Sequence, residues 1–230
     1  MSADAPVICI DGPSGSGKGT IARKLAEALS FHLLDSGALY RLTALAADRR
    51  GVDMEDAEAI AAVARESRIV FEPDGERGTR VYLDGSNVTR DIRQEDVGMN
   101  ASRVAALGPV REALLQRQRD FRKPPGLVAD GRDMGTTVFP DADLKIYLTA
   151  SAEARAMRRH KQLNEQGIGV SLRGLLRDIE ARDEQDMGRA ASPLHPADDA
   201  VVIDSTALSI EQVTEQALAL ARERLGGERE

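Results

Sequence analysis

The stretch VICIDGPSGSGKGT, residues 7–20, decides the fold class of this chain. Its first four residues are apolar and are followed by Asp11, which predicts a short buried strand. From Lys18 to about Leu29 the apolar residues recur at helical spacing, which predicts a helix. Between them lies a glycine-rich loop with two glycines five positions apart followed by lysine, the P-loop pattern. Strand, loop and helix in this order therefore predict a site for a nucleoside triphosphate.

The chemistry of this loop depends on its backbone. Glycines let the chain bend so that N–H groups point inward, and these groups and the helix N-terminus hold phosphate oxygens. Lys18 would reach the outer phosphates. Gly19 stands where the general pattern has a metal-binding Ser or Thr, so the ligands of Mg²⁺ stay open. The predicted donor-binding residues of the loop are Gly12, Pro13, Ser14, Gly15, Ser16, Gly17, Lys18, Gly19 and Thr20.

Short apolar runs alternate with helical segments along most of the chain. This alternation predicts an α/β fold of the P-loop NTPase type, with a mainly parallel five-stranded sheet covered by helices on both faces. The segment 63–100 differs, because two β-rich runs flank a Pro-Asp-Gly turn and predict a small antiparallel insertion. The core would then comprise 1–62 and 101–230, with a helical lid at about 152–190. The predicted core strands are Val7–Ile10, Phe31–Leu34, Leu127–Ala129, Leu144–Leu148 and Val201–Ile203.

Composition argues against several other classes of protein. The chain holds 31 basic and 38 acidic residues, a net charge of −7, and only 3% aromatic residues, so we expect no nucleic-acid partner. No apolar run approaches the roughly 18 residues of a membrane span and no secretory signal is visible, so we expect no membrane partner. The single cysteine, Cys9, cannot form an internal disulfide, which favours a cytoplasmic location.

Two polar segments lie where strands of the predicted sheet end. Asp35-Ser36-Gly37 follows the second strand, with Arg41 in the next helix, and Asp130-Gly131-Arg132-Asp133 follows the third. Open α/β sheets bind ligands at this edge. Each segment also has a plainer explanation: a helix cap with a surface arginine in the first case, and a surface turn in the second.

Arginines are frequent, 26 against 5 lysines, and two groups of them lie on predicted helices. Arg182, Asp186 and Arg189 are spaced so that they share one helix face. These groups suit a phosphate-binding site and a mobile lid, and solvated charged faces are the alternative for both. The second group, next to glycines at 167 and 169, is Arg155, Arg158 and Arg159.

Four motifs together resemble those of bacterial-type cytidylate kinases. The resemblance covers about residues 6–224, and adenylate kinases share the loop but not this set. The motifs are the loop Gly12–Thr20, Asp-Ser-Gly-x-x-Tyr-Arg at Asp35–Arg41, Gly-Arg-Asp-x-Gly-Thr at Gly131–Thr136 and Arg-Asp-x-x-Asp at Arg182–Asp186.

The resemblance implies transfer of the γ-phosphoryl group of ATP to CMP or dCMP, with Mg²⁺ as cofactor and a monomeric protein. The insertion at 63–100 would be the nucleoside-monophosphate-binding domain, Arg158 would belong to a lid over ATP, and Ser36 would lie in the acceptor site. Catalytic roles would fall to Lys18, Arg132 and Arg189. The acceptor's phosphate would be held by Arg41, Arg132 and Arg189, its cytosine by Ser102, Arg111 and Asp133, and its sugar by Arg182 and Asp186.

Elementary chemistry agrees with this assignment. The exocyclic amino group of cytosine can donate a hydrogen bond to a carboxylate such as Asp133, whereas uracil presents an acceptor there. The acceptor phosphate has a second pKa of about 6, so its oxygen is anionic at neutral pH and needs no general base. The protein has to align two phosphates and offset their repulsion, which gives the arginines a use.

Other functions match the sequence less completely. A P-loop kinase for UMP or for a non-nucleotide acceptor shares most of these features. A nucleotide-dependent switch would bind effectors instead, but the sequence lacks the Asn-Lys-x-Asp motif of switch GTPases. A purely structural binding module needs neither the loop nor the arginines.

Overall fold

The computed structural model of the protein describes residues 5–73, 79–165, 167, 169–189 and 192–226. The chain forms two compact units, one from the residues up to Asp35 and from Arg119 on, the other from Ser36–Gln118. The strands are β1 (Val7–Asp11), β2 (His32–Asp35), β3 (Ile69–Pro73), β4 (Thr79–Leu83), β5 (Ser86–Asn87), β6 (Leu127–Gly131), β7 (Leu144–Thr149) and β8 (Val201–Asp204). The α-helices are α1 (Lys18–Leu29), α2 (Ser36–Arg49), α3 (Ala57–Glu66), α4 (Glu95–Val104), α5 (Gly108–Arg119), α6 (Ala152–Glu165), α7 (Leu172–Met187) and α8 (Ile210–Gly226).

A five-stranded sheet in the order β2-β6-β1-β7-β8 organises the first unit. All its pairings are parallel, with Val7 of β1 opposite Leu127 of β6 and Ile8 opposite Leu144 of β7. β1 is the central strand and all five of its residues are buried, which is why it forms an apolar run in the sequence. The five predicted core strands and the parallel sheet are confirmed.

The core of this unit lies between the sheet and two helices. Ile21 and Leu25 of α1 are buried one turn apart, and with Val213 and Ala217 of α8 they pack against apolar side chains of β1, β6, β7 and β8. Each fully buried aliphatic side chain of this kind stabilises the fold by about 1.5–3 kcal/mol. α1 ends at Ser30, which takes the left-handed conformation with φ 56° and donates its N–H to carbonyl groups of the last turn.

The strand order places a ligand crevice at the end of β1. From β1 the chain moves past β6 to β2 at one edge of the sheet. From β6 it moves in the opposite direction, past β1, to β7. Where the direction of crossing reverses, the loops at the carboxyl ends of the strands diverge and leave room for a ligand. The glycine-rich loop after Asp11 and the Asp130–Asp133 segment are therefore both at this edge.

The second unit combines helices with a small antiparallel sheet. β3, β4 and β5 are neighbours in that order, with Ile69 opposite Leu83, so the predicted antiparallel excursion is present. Asp74 and Gly75 of the predicted Pro-Asp-Gly turn lie outside the described residues. α2 packs against α3 and α4, and most of its residues are buried.

The helices of the second unit do not follow the bounds of the predicted insertion. α4 begins at Glu95, so it starts inside the predicted insertion at 63–100. α5 runs over Gly108–Arg119 and has Gly108 and Pro109 in its first turn. The compact unit is also wider than the insertion, since it takes in α2, α3 and α5. Among the described residues, no helix has the length and apolar character needed to span a membrane.

Candidate active site

The glycine-rich loop has the backbone geometry that its sequence predicts. Gly12 has φ +148°, and a Cβ on it would lie 2.1 Å from the carbonyl oxygen of Leu148 in β7. Only glycine therefore allows the loop to leave β1 this close to the neighbouring strand. Gly17, with φ +96°, is the N-cap residue of α1, and N–H groups at a helix N-terminus can bind an anion. The Ser16 hydroxyl is buried and has no hydrogen-bond partner among the described residues.

Lys18 is a buried cation in the first turn of α1. Its Nζ donates to the carbonyl oxygen of Pro13 at 3.2 Å and lies 3.9 Å from a carboxylate oxygen of Asp130. Burial, and then repulsion from Arg132, lower the pKa of Lys18 to about 8, against the attraction of Asp130, Asp35 and Asp11. A cation held in this way lacks most of its solvation and gains strongly when an anion arrives.

Asp130 ends β6 beside the loop. Burial raises its pKa to about 6, although Lys18 opposes that change. A Cβ on Gly19 would lie 3.2 Å from Asp130 Oδ2, so glycine leaves space in front of this carboxylate. Within the described ranges, no three or more Asp, Glu, His or Cys side chains gather as a metal site. The arrangement fits Mg²⁺, which binds to one or two carboxylates and to substrate phosphates while keeping several waters.

Asp11 fixes the segment that follows β6. Its two carboxylate oxygens accept hydrogen bonds from the backbone N–H groups of Met134 and Gly135, both at 2.8 Å. Burial raises the pKa of Asp11 to about 6 in spite of these two bonds. A single turn of π-helix, Met134–Val138, follows and leaves Asp133 buried at its start. No specific signal in the sequence points to this role of Asp11, because an acidic residue after a strand has many uses.

Two predicted phosphate-binding arginines meet on one carboxylate. Arg132 Nε donates to Asp186 Oδ2 at 2.8 Å, and Arg189 Nη2 donates to Asp186 Oδ1. The carboxylate of Asp186 is only 1% exposed. Burial alone would lower the pKa of Arg132, but the charge of Asp186 and the hydrogen bond to it raise the pKa. Arg132 therefore remains charged, and Asp186 holds the guanidinium groups of Arg132 and Arg189 as neighbours.

The arginines of the predicted lid contact the core of the first unit. Arg158 of α6 donates from Nη1 to the hydroxyl of Ser205 at 3.2 Å and from Nη2 to its carbonyl oxygen. The Ser205 hydroxyl in turn contacts the carbonyl oxygen of Ser16 at 3.4 Å, so Arg158 lies near the loop. Arg182 of α7 lies at 3.5 Å from the hydroxyl of Ser14. The glycine-containing junction between α6 and α7 lies partly outside the described residues.

The remaining predicted substrate residues lie in the second unit. The Ser36 hydroxyl donates to Gln118 Oε1 at 2.7 Å, and Arg41 Nη1 donates to the carbonyl oxygen of Ile92 at 3.0 Å. Ser102 contacts the carbonyl oxygen of Gly98 at 3.3 Å. The guanidinium of Arg111 lies 5.9 Å from the centre of the Tyr40 ring and donates to the carbonyl oxygen of Ala105. Gln118, which orients Ser36, was missed because a buried glutamine has no motif of its own.

A comparison with known proteins decides the family of this chain. The family model described as cytidylate kinase matches residues 8–223. The chain belongs to the cytidylate kinase family. A cytidylate kinase phosphorylates CMP and dCMP, and the activity predicted from the sequence is confirmed.

Named cytidylate kinases from several bacteria are similar over almost the whole chain. The one from Cupriavidus pinatubonensis is 56% identical over 212 residues, which cover 92% of this chain and 94% of that protein. The one from Bordetella bronchiseptica is 59% identical and covers 93% and 94%, and the one from Pseudomonas fluorescens is 59% identical and covers 95% and 96%. Among solved structures, a gluconokinase from Sinorhizobium meliloti aligns over 98% of this chain and 97% of its own with a TM-score of 0.47 and 17% identity.

Proposed function

We propose that the loop after β1 holds the triphosphate of ATP and that the arginine pair on Asp186 holds the phosphate of CMP or dCMP. The observation that carries this proposal is the gathering of cations at one edge of the sheet. Lys18 and Arg132 are close enough for Arg132 to lower the pKa of Lys18, and Asp186 ties Arg132 to Arg189. A ligand with several negative charges would offset the repulsion that remains between these groups beside the neighbouring carboxylates.

The proposed reaction needs no covalent bond between the protein and either substrate. An anionic oxygen of the acceptor phosphate attacks the γ-phosphorus of ATP, and the bond from that phosphorus to the β–γ bridging oxygen breaks, so that ADP and CDP or dCDP form. No proton has to be removed, because the acceptor oxygen is already ionised at neutral pH. The protein's contribution is to align the two nucleotides and to stabilise charge on the transferred group.

Individual residues have distinct parts in this scheme. Lys18 would contact the β- and γ-phosphates, and the buried Ser16 hydroxyl offers a further donor at the loop. Arg132 and Arg189 would contact the acceptor phosphate and the transferred group. Asp186 has both oxygens engaged with the arginines, which supports a positioning role besides the predicted contact to the sugar.

Further residues are assigned to the base and the sugar of the acceptor nucleotide. Asp133 would accept a hydrogen bond from the amino group of cytosine, and Arg182 would contact the sugar. The resemblance assigns four residues of the second unit to the acceptor as well, and these are Ser36, Arg41, Ser102 and Arg111. Arg158 would contribute to the donor site from α6. The segment 63–100 as the monophosphate-binding domain, the monomeric state and the cytoplasmic location stay predictions.

Mg²⁺ would be held by Asp130, directly or through water, together with the phosphates. When bound it supplies positive charge between the donor's phosphates. Thr20 in α1 is the nearest hydroxyl in the sequence to the position where the general pattern has its metal ligand. The pKa of Asp130, raised to about 6, is below neutral pH, so the carboxylate is ionised and can act as a ligand.

A test separates the roles of donor and acceptor residues. ADP release is measured with ATP and a panel of CMP, dCMP, UMP and AMP, for the wild type and for Arg132→Lys and Arg189→Lys. We expect kcat/KM for CMP to fall at least about 100-fold in both variants, because lysine cannot reproduce the planar donor fork, while KM for ATP changes by less than about threefold. Arg222→Lys, on the exposed face of α8, is the matched control. Equal turnover of all four monophosphates would reject the specificity, and unchanged CMP kinetics in both variants would reject the arginine roles.

A further inference from the structure

Arg155 of α6 makes a set of contacts that the proposed mechanism does not use. Its side chain is 4% exposed, and its Nε donates to the carbonyl oxygen of Ala150, after β7, at 3.0 Å. Its Nη1 donates to the carbonyl oxygen of Ser14 in the glycine-rich loop at 3.0 Å and to Asp183 Oδ1 at 2.9 Å, and its Nη2 donates to Asp183 Oδ2. One guanidinium thus joins the sheet edge, the loop and α7.

These contacts leave Arg155 little capacity to bind a phosphate. A guanidinium has five N–H groups, and the four hydrogen bonds engage most of them with oxygens of the protein itself. Asp183 approaches it in the paired, fork-like geometry and neutralises its charge. Arg158, three residues further along α6, instead donates to the hydroxyl and the carbonyl oxygen of Ser205. Arg155 and Arg158 therefore differ in role.

The loop packs on the stem of Arg155 at the turn that it has to make. Gly15 has φ +76°, and a Cβ built there would lie 3.5 Å from the Cβ of Arg155. The carbonyl oxygen that Arg155 binds belongs to Ser14, the residue before this turn. If that carbonyl rotates, the N–H group of Gly15 turns with it, because the two groups belong to one planar peptide unit. The direction of this N–H group in the loop is therefore coupled to the Arg155 side chain.

α7 connects the same contact to the acceptor arginines. Asp183 and Asp186 are three residues apart on this helix, so they lie on neighbouring positions of one face. Asp183 holds Arg155 and thereby Ser14, while Asp186 holds Arg132 and Arg189. A single helix thus carries the carboxylate that fixes the donor loop and the carboxylate that fixes the acceptor's cations.

We propose that Arg155 and Asp183 act together as positioning residues that fix the shape of the donor loop through the Ser14 carbonyl. This inference rests on the proposed function, because it assumes that the loop binds ATP. Loss of either residue should weaken ATP binding and slow transfer, while the affinity for CMP should change little. A role confined to stability would instead lower the melting temperature without changing either KM.

The experiment uses the full chain with ATP and CMP as substrates. Arg155→Lys keeps the positive charge, but a single ammonium group cannot reach Ala150, Ser14 and both oxygens of Asp183 together. Asp183→Asn keeps the shape and removes the charge. For each variant and for the double variant, KM for ATP, KM for CMP, kcat and the melting temperature are measured. Arg177→Lys, exposed on α7, is the control.

We expect each single variant to raise KM for ATP at least tenfold and to lower kcat several-fold, with KM for CMP within threefold of wild type. The double variant should be no more than about twofold worse than the poorer single variant, because the two residues act as one unit. Asp183→Glu is the mildest change and should raise KM for ATP about threefold. If the other variants do not fold, this variant still tests the inference. The inference would be overturned if folded variants had the wild-type KM for ATP. It would also be overturned if the loss of activity in the double variant equalled the product of the losses in the two single variants. A wild type without CMP-dependent ADP release would overturn the proposed function instead.

Discussion

Replacing Lys18 with methionine should lower the activity of the enzyme and raise its thermal stability. The Nζ atom lies 3.9 Å from Asp130, an attraction of about 4 kcal/mol at an effective dielectric constant of about 20. The pKa of Lys18 is nevertheless lowered from 10.5 to about 8, so burial and the repulsion from Arg132 exceed that attraction. A change of one in pKa corresponds to about 1.4 kcal/mol. Keeping Lys18 charged at pH 7 in the ligand-free protein therefore costs about 3 kcal/mol.

The pH dependence of this cost has a definite sign. Between pH 8 and 10.5 the unfolded chain holds a proton that folded Lys18 has lost, so the wild type gains stability as the pH rises through that range. The advantage of Lys18→Met should be fully present below pH 8 and should shrink towards pH 10.5. For a protein of this size, about 3 kcal/mol corresponds to a rise of about 6–12 °C in Tm at pH 7.

The activity should change in the opposite direction. Removal of a preorganised donor at the transferred phosphoryl group lowers kcat by about 100- to 1,000-fold, or about 3–4 kcal/mol. Differential scanning fluorimetry at pH 7 and pH 9.5 and an ADP-release assay measure the two effects, with the exposed Lys123→Met as control. A variant that keeps more than a third of wild-type kcat would refute the catalytic role. A Tm of the Lys18→Met variant below that of the wild type would refute the statement that the buried charge destabilises the protein.

Three further substitutions test other parts of the site. Asp133→Asn should lower the ratio of kcat/KM for CMP to that for UMP by about 10- to 100-fold, since an amide can donate to uracil where the carboxylate cannot; an unchanged ratio would exclude contact with the base. Asp130→Asn should be more stable than the wild type at pH 7, because burial raises the folded pKa from 3.8 to about 6, and the gain should vanish as the pH falls towards 3.8; a constant difference in Tm across that range would contradict it. Gly12→Ala should lower the free energy of unfolding, measured in urea, by more than about 4 kcal/mol, because its Cβ would lie 2.1 Å from the Leu148 carbonyl oxygen. Gly51→Ala, at φ +65° with open space around it, should lower that free energy by about 1–2 kcal/mol. Equal losses in the two variants would disprove the steric explanation.

Elements with a strong local signal could be predicted from the sequence. β1 and α1 follow from an apolar run, a glycine-rich turn and an amphipathic stretch, and they occur where they were expected. The start of α4 at Glu95 was missed, because Gln94 makes no side-chain cap and the first turn reads as a polar loop. Packing against α2 selects helix there, which is a tertiary effect that local propensity does not contain.

The site divides in the same way between local motif and long-range contact. The loop Gly12–Thr20 could be recognised because it is a short motif, and Arg41, Arg132 and Arg182 also lie in short motifs, while the roles assigned to them stay predictions. The partners that orient them could not be recognised, since Asp11 contacts residues more than 120 positions away and Asp183 contacts Arg155 across 28 positions. Asp186 was assigned to the sugar by resemblance, and only the folded chain shows that its two oxygens hold Arg132 and Arg189.

The central place of β1 has a consequence for how the chain is made. Its partners in the sheet, β6 and β7, begin at Leu127 and Leu144, so the ribosome releases the middle strand well before either neighbour exists. At about 5–20 residues per second, the first strand waits roughly 6–25 seconds for β6. Ser36–Gln118 is continuous in sequence and can fold during that interval. The apolar residues of β1 therefore stay open to chaperones and to aggregation until more than half of the polypeptide has been synthesised.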